Sequence, residues 1–194
     1  MVLPKAILFD MDGTITTPLL DFPRIRSDMG IGDRSILEAM AEMGATERER
    51  AEAVLLRHEC EAAQRSTLNA GCAELMAWVE SRGIGRALIT RNSRASVMTV
   101  LAKHRLPFDV LATREDGRYK PHPEPLVRAC ERLGVSTAEA WMVGDAQYDV
   151  EAGLAAGVRT VWVSHGREKP FAATPWRVVR DLVELTAVLE DCLI

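Results

Sequence analysis

The chain lacks paired cysteines. Cys60, Cys72, Cys130 and Cys192 are scattered and form no CxxC motif, so neither a disulfide framework nor a zinc site is indicated. Reduced, buried thiols of a cytoplasmic protein are the simplest reading. His58, His104, His122 and His165 share no metal-ligand spacing and read as surface or loop residues. No apolar run approaches the roughly 20 residues that a membrane-spanning helix needs. The first apolar run carries one Lys and ends at Asp10, which makes a poor signal peptide. Positive charge is not in excess either. The net charge is −4, so electrostatics offers no reason to expect a nucleic-acid partner. Lysine is scarce, at positions 5, 103, 120 and 169 only, and the other 20 of the 24 basic residues are arginine.

Hydrophobic material is plentiful: 47% of 194 residues, enough for one ordinary domain with a small insertion. KAILF (5–9) is short, apolar and bounded by turn signals, as a strand buried on both faces should be. RALIT (86–90), FDVLA (108–112), AWMVG (140–144) and RTVWV (159–163) repeat the pattern. Helical patterns lie between them, over 93–104, over 123–134 with prolines first and Gly134 last, and over 149–157. Strands alternating with helices predict an α/β fold with a parallel, Rossmann-like sheet.

Residues 21–68 break this rhythm. Ser35 to Leu68 is helical in pattern and divided at Gly44, and Thr46 with Glu49 has the spacing of a capping box. The expected organisation is therefore an α/β core of residues 1–20 and 69–194, with a small all-helical cap at 21–68 after the first strand. Asn69-Ala70-Gly71 would form its second junction, with Gly71 as a hinge.

In an open parallel sheet, ligands bind beyond the carboxyl ends of the strands. Asp10 and Asp12 of ILFDMDGT follow the first strand. Thr90, Arg91 and Asn92 close the second, Lys120 lies in the loop after the third, and Asp145 and Asp149 of GDAQYD follow the fourth. Crowded carboxylates repel unless a cation or proton joins them, and hard oxygen donors suit Mg²⁺. Asp10, kept ionised, would be nucleophilic, and Asp12 could hold a proton for a leaving oxygen. Thr90 and Lys120 would bind phosphoryl oxygens, and Gly13 and Gly144 would let backbone approach the anion.

In order and spacing, DMDGT, Thr90, Lys120 and GDAQYD resemble the four motifs of the haloacid dehalogenase superfamily. The helical insertion resembles the caps of its phosphoglycolate phosphatase-like branch. The resemblance implies Asp10 as phosphate acceptor, Asp12 as general acid/base, and Thr90 and Lys120 as phosphoryl ligands. It also implies Mg²⁺ held by Asp10, the Asp12 carbonyl and Asp145, with Asp149 as a ligand or its support. Asn follows the Thr directly in many relatives, whereas here Arg91 intervenes and Asn92 comes second as a candidate substrate contact. Arg24 and Arg26, just past the first loop, are candidate contacts for an anionic leaving group.

The expected activity is Mg²⁺-dependent hydrolysis of a small phosphorylated metabolite through a phosphoaspartyl intermediate. A phosphomutase of the same superfamily and a non-catalytic phosphate-binding or regulatory protein are the alternatives. The second aspartate argues against dehalogenation. The absence of lysine between Lys5 and Lys103 argues against a phosphonatase, which needs a cap lysine. A receiver-type signalling domain would carry its acceptor after a middle strand and have no helical insertion.

Overall fold

The computed structural model describes residues 2–193. Six strands form one parallel sheet: β1 (Ala6–Phe9), β2 (Gly85–Ile89), β3 (Val110–Ala112), β4 (Ala140–Gly144), β5 (Arg159–Val163) and β6 (Arg177–Val179). Their order is β3-β2-β1-β4-β5-β6, the doubly wound arrangement whose direction reverses at the β1/β4 pair. β1 is buried along its whole length because it pairs on both sides: Phe9 lies opposite Leu88 of β2 and Val143 of β4. That explains why it reads as an unbroken apolar run rather than an alternating one.

Helices cover both faces. Packed around the sheet are α4 (Cys72–Ser81), α5 (Arg94–His104), α6 (Glu124–Leu133), α7 (Gln147–Ala156) and α8 (Leu182–Asp191). One face buries Ile7, Phe9, Leu75, Val97, Trp141 and Leu185, and the other Leu8, Ile89, Leu126 and Met142. The alternation of Ile7 and Leu8 between the two clusters is the period-two rule of a strand applied to a sheet with no wet face. Among the described residues no helix is long and apolar enough to cross a membrane.

Between β1 and α4 the chain inserts α1 (Phe22–Met29), α2 (Ile36–Glu42) and α3 (Ala45–Arg65). These helices close on a small core of their own, including Ile25, Leu37, Met40 and Leu55. The two linking strands are zipped together. Thr17 N–H donates to Thr67 O at 2.9 Å, Asn69 N–H donates to Ile15 O at 2.9 Å, and the Asn69 amide reaches Thr14 O and Thr16 O at 2.8 and 3.1 Å.

Several details differ from the sequence reading. Thr46 is not an N-cap: Gly44 takes the cap position two residues earlier, and Thr46 lies inside the helix. The third strand is shorter than FDVLA: regular pairing begins at Val110, and Asp109 before it meets Arg86 twice, its N–H donating to Arg86 O at 2.9 Å and its carboxylate accepting the Arg86 N–H at 2.8 Å. α1, β6 and α8 had no counterpart in the periodicity. Gly71 is left-handed, with φ of +79°, and its bare Cα packs against Val183 at the start of α8, so glycine there serves a turn and a close approach.

Candidate active site

At the carboxyl edge, beside the β1/β4 reversal, Asp10, Lys120, Asp145 and Asp149 converge, with Asp12, Thr90 and Asn92 linked to one another next to them. Asp10 is still in the ladder, its N–H donating to Val143 O at 2.9 Å, and so is Thr90, donating to Ala112 O at 2.9 Å. Both side chains are therefore held by sheet geometry rather than by loops. Past Asp10 the chain turns sharply. The N–H groups of Ile15 and Thr16 both donate to Met11 O at 2.9 Å, and Gly13 takes φ of +82°. A Cβ on Gly13 would overlap the Asp145 carboxylate, and one on Gly144 would overlap that of Asp149. The two glycines admit carboxylates as much as they admit backbone.

Lys120 is the centre of the cluster. It is 2% exposed, and its Nζ donates to Asp10 Oδ1 and Asp149 Oδ1, each at 2.6 Å. Its loop position among prolines suggests a solvated side chain, and the fold instead buries it whole. Burial alone would lower its pKa, but Asp10 and Asp149 outweigh that and raise it, so the ammonium is charged. Asp149 is fixed further by the Ala146 N–H, donating to Oδ2 at 2.9 Å. Carboxylate oxygens of Asp10, Asp145 and Asp149 lie within 4.8 Å of one another. Burial pushes the Asp10 pKa well up; Lys120 opposes this, while Asp149 and Asp145 add to it. Burial and then Asp149 raise that of Asp145. One buried ammonium and the Arg167 guanidinium on Asp145 do not together neutralise three carboxylates. Such a set of hard oxygen donors, with negative charge to spare, fits a divalent cation such as Mg²⁺.

Asp12 stands apart from these three. Its Oδ2 accepts from the Asn92 amide, and its Oδ1 lies 3.4 Å from the Thr16 hydroxyl. Burial, opposed by the Asn92 hydrogen bond, lifts its pKa from the usual carboxylate range to about 6. The structure thus brings Asn92 to a carboxylate, and Asn92 N–H also donates to Thr90 Oγ1 at 3.2 Å. The spacer Arg91 points away from the cluster, donating to Lys120 O at 2.7 Å and to both oxygens of Glu38 in α2.

Arg24 and Arg26 are not joined to the cluster by any hydrogen bond among the described residues. Arg24 is exposed and pairs with Asp28 at 3.0 Å, one turn along α1. Four other participants were not legible. His165 is exposed in a loop, as expected, and its Nε2 lies 2.6 Å from Gly13 O, which places the proton on that nitrogen. Arg167 holds Asp145 Oδ2 at 3.0 Å. Both come from the loop after β5, a fifth strand end whose SHGRE stretch carries no motif. Glu59 of α3 and Arg114, after β3, form a buried ion pair beside Asn92. A Gly in SHGRE and an Arg after a strand were the only signals available for them.

The comparisons agree with this geometry. Residues 21–163 match the haloacid dehalogenase-like hydrolase family. The uncharacterised hydrolase YOR131C of Saccharomyces cerevisiae is 34% identical over 166 residues, spanning 81% of this chain and 76% of that protein. The pyrophosphatase PpaX of Bacillus cereus is 34% identical over 119 residues, 58% of this chain and 55% of its own. A solved Lactobacillus plantarum structure, described as a phosphoglycolate phosphatase, superposes with a TM-score of 0.76 at 18% identity. It covers 96% of this chain and is itself covered completely, a likeness of fold. The sheet order, the strand-end carboxylates and the match over most of its length place this chain in the haloacid dehalogenase-like hydrolase family.

Proposed function

We propose that the protein is a phosphatase that hydrolyses small phosphomonoesters through a phosphoaspartyl intermediate at Asp10. The observation that carries this reading is the Lys120 ammonium shared between Asp10 and Asp149 at 2.6 Å, with Asp12 held separately by Asn92. Two carboxylates two residues apart sit in different fields, which is what separate nucleophile and acid/base roles require. The pyrophosphatase and phosphatase names of the similar proteins support the same class of reaction.

An Asp10 carboxylate oxygen attacks phosphorus in line with the ester oxygen. The P–O bond to the leaving group breaks, and Asp12 delivers its proton to the departing oxygen. Asp12, now ionised, takes a proton from water. The water oxygen attacks phosphorus, releases inorganic phosphate and restores the Asp10 carboxylate. Thr90 and Lys120 offer donors to the phosphoryl oxygens, where charge gathers. Asp10, the Asp12 carbonyl, Asp145 and Asp149 are the groups that would hold Mg²⁺. When bound, the ion supplies charge neutralisation for the nucleophile and the phosphoryl group.

The insertion α1–α3 is the cap in this reading. It would exclude bulk water from the site and select leaving groups by size. Arg24 and Arg26 on its first helix are placed to meet substrate only if their contacts within the cap rearrange.

The test is release of inorganic phosphate from p-nitrophenyl phosphate and from a panel of phosphorylated metabolites, with added Mg²⁺. Hydrolysis of an ester made chiral at phosphorus should proceed with retention of configuration, the outcome of two successive in-line displacements. Absence of turnover on every ester, or inversion at phosphorus, would overturn the mechanism.

A further inference from the structure

Glu59 is the one fully buried carboxylate outside the acidic cluster among the described residues, 2% exposed on the core-facing side of α3. Burying a charge is unfavourable unless it is paired and hydrogen-bonded, and even a good pair rarely adds net stability. Here one oxygen accepts from the Arg114 guanidinium, and the other accepts the Ser93 N–H at 3.1 Å. Ser93 is the N-cap of α5, and its side chain accepts the Ser96 N–H at 3.3 Å. In a capping box the residue at Ser96 would be Glu or Gln and would reach back to the N-cap N–H. Ser96 is too short, and a carboxylate from a different helix takes its place.

The other side of the same peptide is also held. Asn92 O accepts the Arg114 N–H at 3.2 Å. The Asn92–Ser93 peptide unit is thus gripped at its carbonyl by the Arg114 backbone and at its N–H by Glu59, and the Glu59–Arg114 pair closes the frame. From this frame the Asn92 amide reaches Asp12.

We propose that Glu59 is a positioning residue for proton transfer, fixing the Asn92–Ser93 peptide so that the Asn92 amide orients the Asp12 carboxyl. The proposal rests on the phosphatase reading. It follows that Glu59 matters most where the leaving oxygen needs a proton and least where the leaving group departs without one. Phosphoryl transfer to Asp10, the step that kcat/KM reports, separates the two cases through the leaving group.

The experiment compares kcat/KM on p-nitrophenyl phosphate, a good leaving group, with phenyl phosphate, a poor one. Glu59→Ala should lower kcat/KM at least about tenfold on phenyl phosphate and less than about threefold on p-nitrophenyl phosphate, because general-acid help is worth the most on the poor leaving group. Asn92→Ala should show the same selectivity, and the double variant should be no worse than Asn92→Ala alone. Glu59→Gln keeps an acceptor for the Ser93 N–H and should fall between wild type and Glu59→Ala, with phenyl phosphate still the more affected. Equal losses on both esters, or no loss on either, would reduce Glu59 to a structural ion pair and overturn the proposal. If Glu59→Ala does not fold, Glu59→Gln decides: equal losses overturn, and a loss selective for phenyl phosphate supports. A wild-type protein that hydrolyses neither ester with Mg²⁺ defeats the phosphatase reading instead.

Discussion

The guanidinium of Arg91 grips both carboxylate oxygens of Glu38 at 2.9 Å, joining the sheet edge to the inserted helices. The same group stacks on Tyr148 at 4.0 Å and Tyr119 at 5.0 Å, and the Tyr148 hydroxyl lies 3.1 Å from Ser35 Oγ. Arg91 follows Thr90, Tyr119 precedes Lys120, and Tyr148 precedes Asp149. Each of three site residues therefore has a chain neighbour that receives the start of α2. Glu38→Ala should loosen this contact and raise KM a few-fold with little change in kcat. Arg91→Ala should cost more, since it also releases the Lys120 carbonyl. A double-mutant cycle on kcat/KM should show coupling of about 1 kcal/mol; additive effects would mean the pair is incidental.

Asp10→Asn should remove nearly all turnover while the far-UV circular dichroism spectrum stays native, because an amide is a poor nucleophile and a weaker metal ligand. The loss should reach at least about a thousandfold, within the range that a chemical step contributes. Wild-type rates from the purified variant would exclude covalent catalysis at this residue.

Gly13 lies against Asp145, so the cation site can be disturbed at a ligand or beside one. A methyl group on Gly13 would collide with the Asp145 carboxylate, and φ of +82° disfavours any side chain. Excess chelator should abolish phosphate release, and Mg²⁺ should restore it. Asp145→Ala and Gly13→Ala should both raise the Mg²⁺ concentration needed for half-maximal rate. Full activity in chelator, or an unchanged Mg²⁺ requirement in both variants, would argue against a cation at this cluster.

Stability should depend on pH through the same carboxyls. Burial raises the pKa of Asp12 from 3.8 to about 6 and moves those of Asp10, Asp145 and Glu59 upward too. The folded state then holds protons that the unfolded chain releases, so this contribution is fully present below about pH 4 and is lost as pH rises through 6. Asp12→Asn removes one such group and should stabilise the metal-free protein at pH 7.5 by at most about 3 kcal/mol. Melting temperatures measured from pH 4 to 8 in chelator should show the gain shrinking as pH falls. A gain independent of pH would assign it to packing instead.

Five of the six strands were legible, because a strand buried on both faces must be apolar throughout, whatever surrounds it. β6 escaped notice: Arg177–Val179 is three residues long at a sheet edge, and Val178 remains half exposed. The carboxylates and Lys120 were legible for a related reason. Their types and their places after strand ends follow from the chain alone, and the parallel topology brings strand ends together.

What the chain could not announce was which polar residues on helices and late loops meet the strand-end groups. In HECEAAQR, Glu59 reads as one more solvated residue, and only the packing of α3 against α5 buries it beside Ser93. His165 and Arg167 lie in a stretch with no motif, and meet Gly13 and Asp145 because β5 sits next to β4 in the sheet. Sequence determines the periodicity of burial and the chemical types at strand ends, since those are local. Which distant charges share a dielectric environment is a matter of through-space distance, and that is decided only when the sheet, the helices and the insertion have packed.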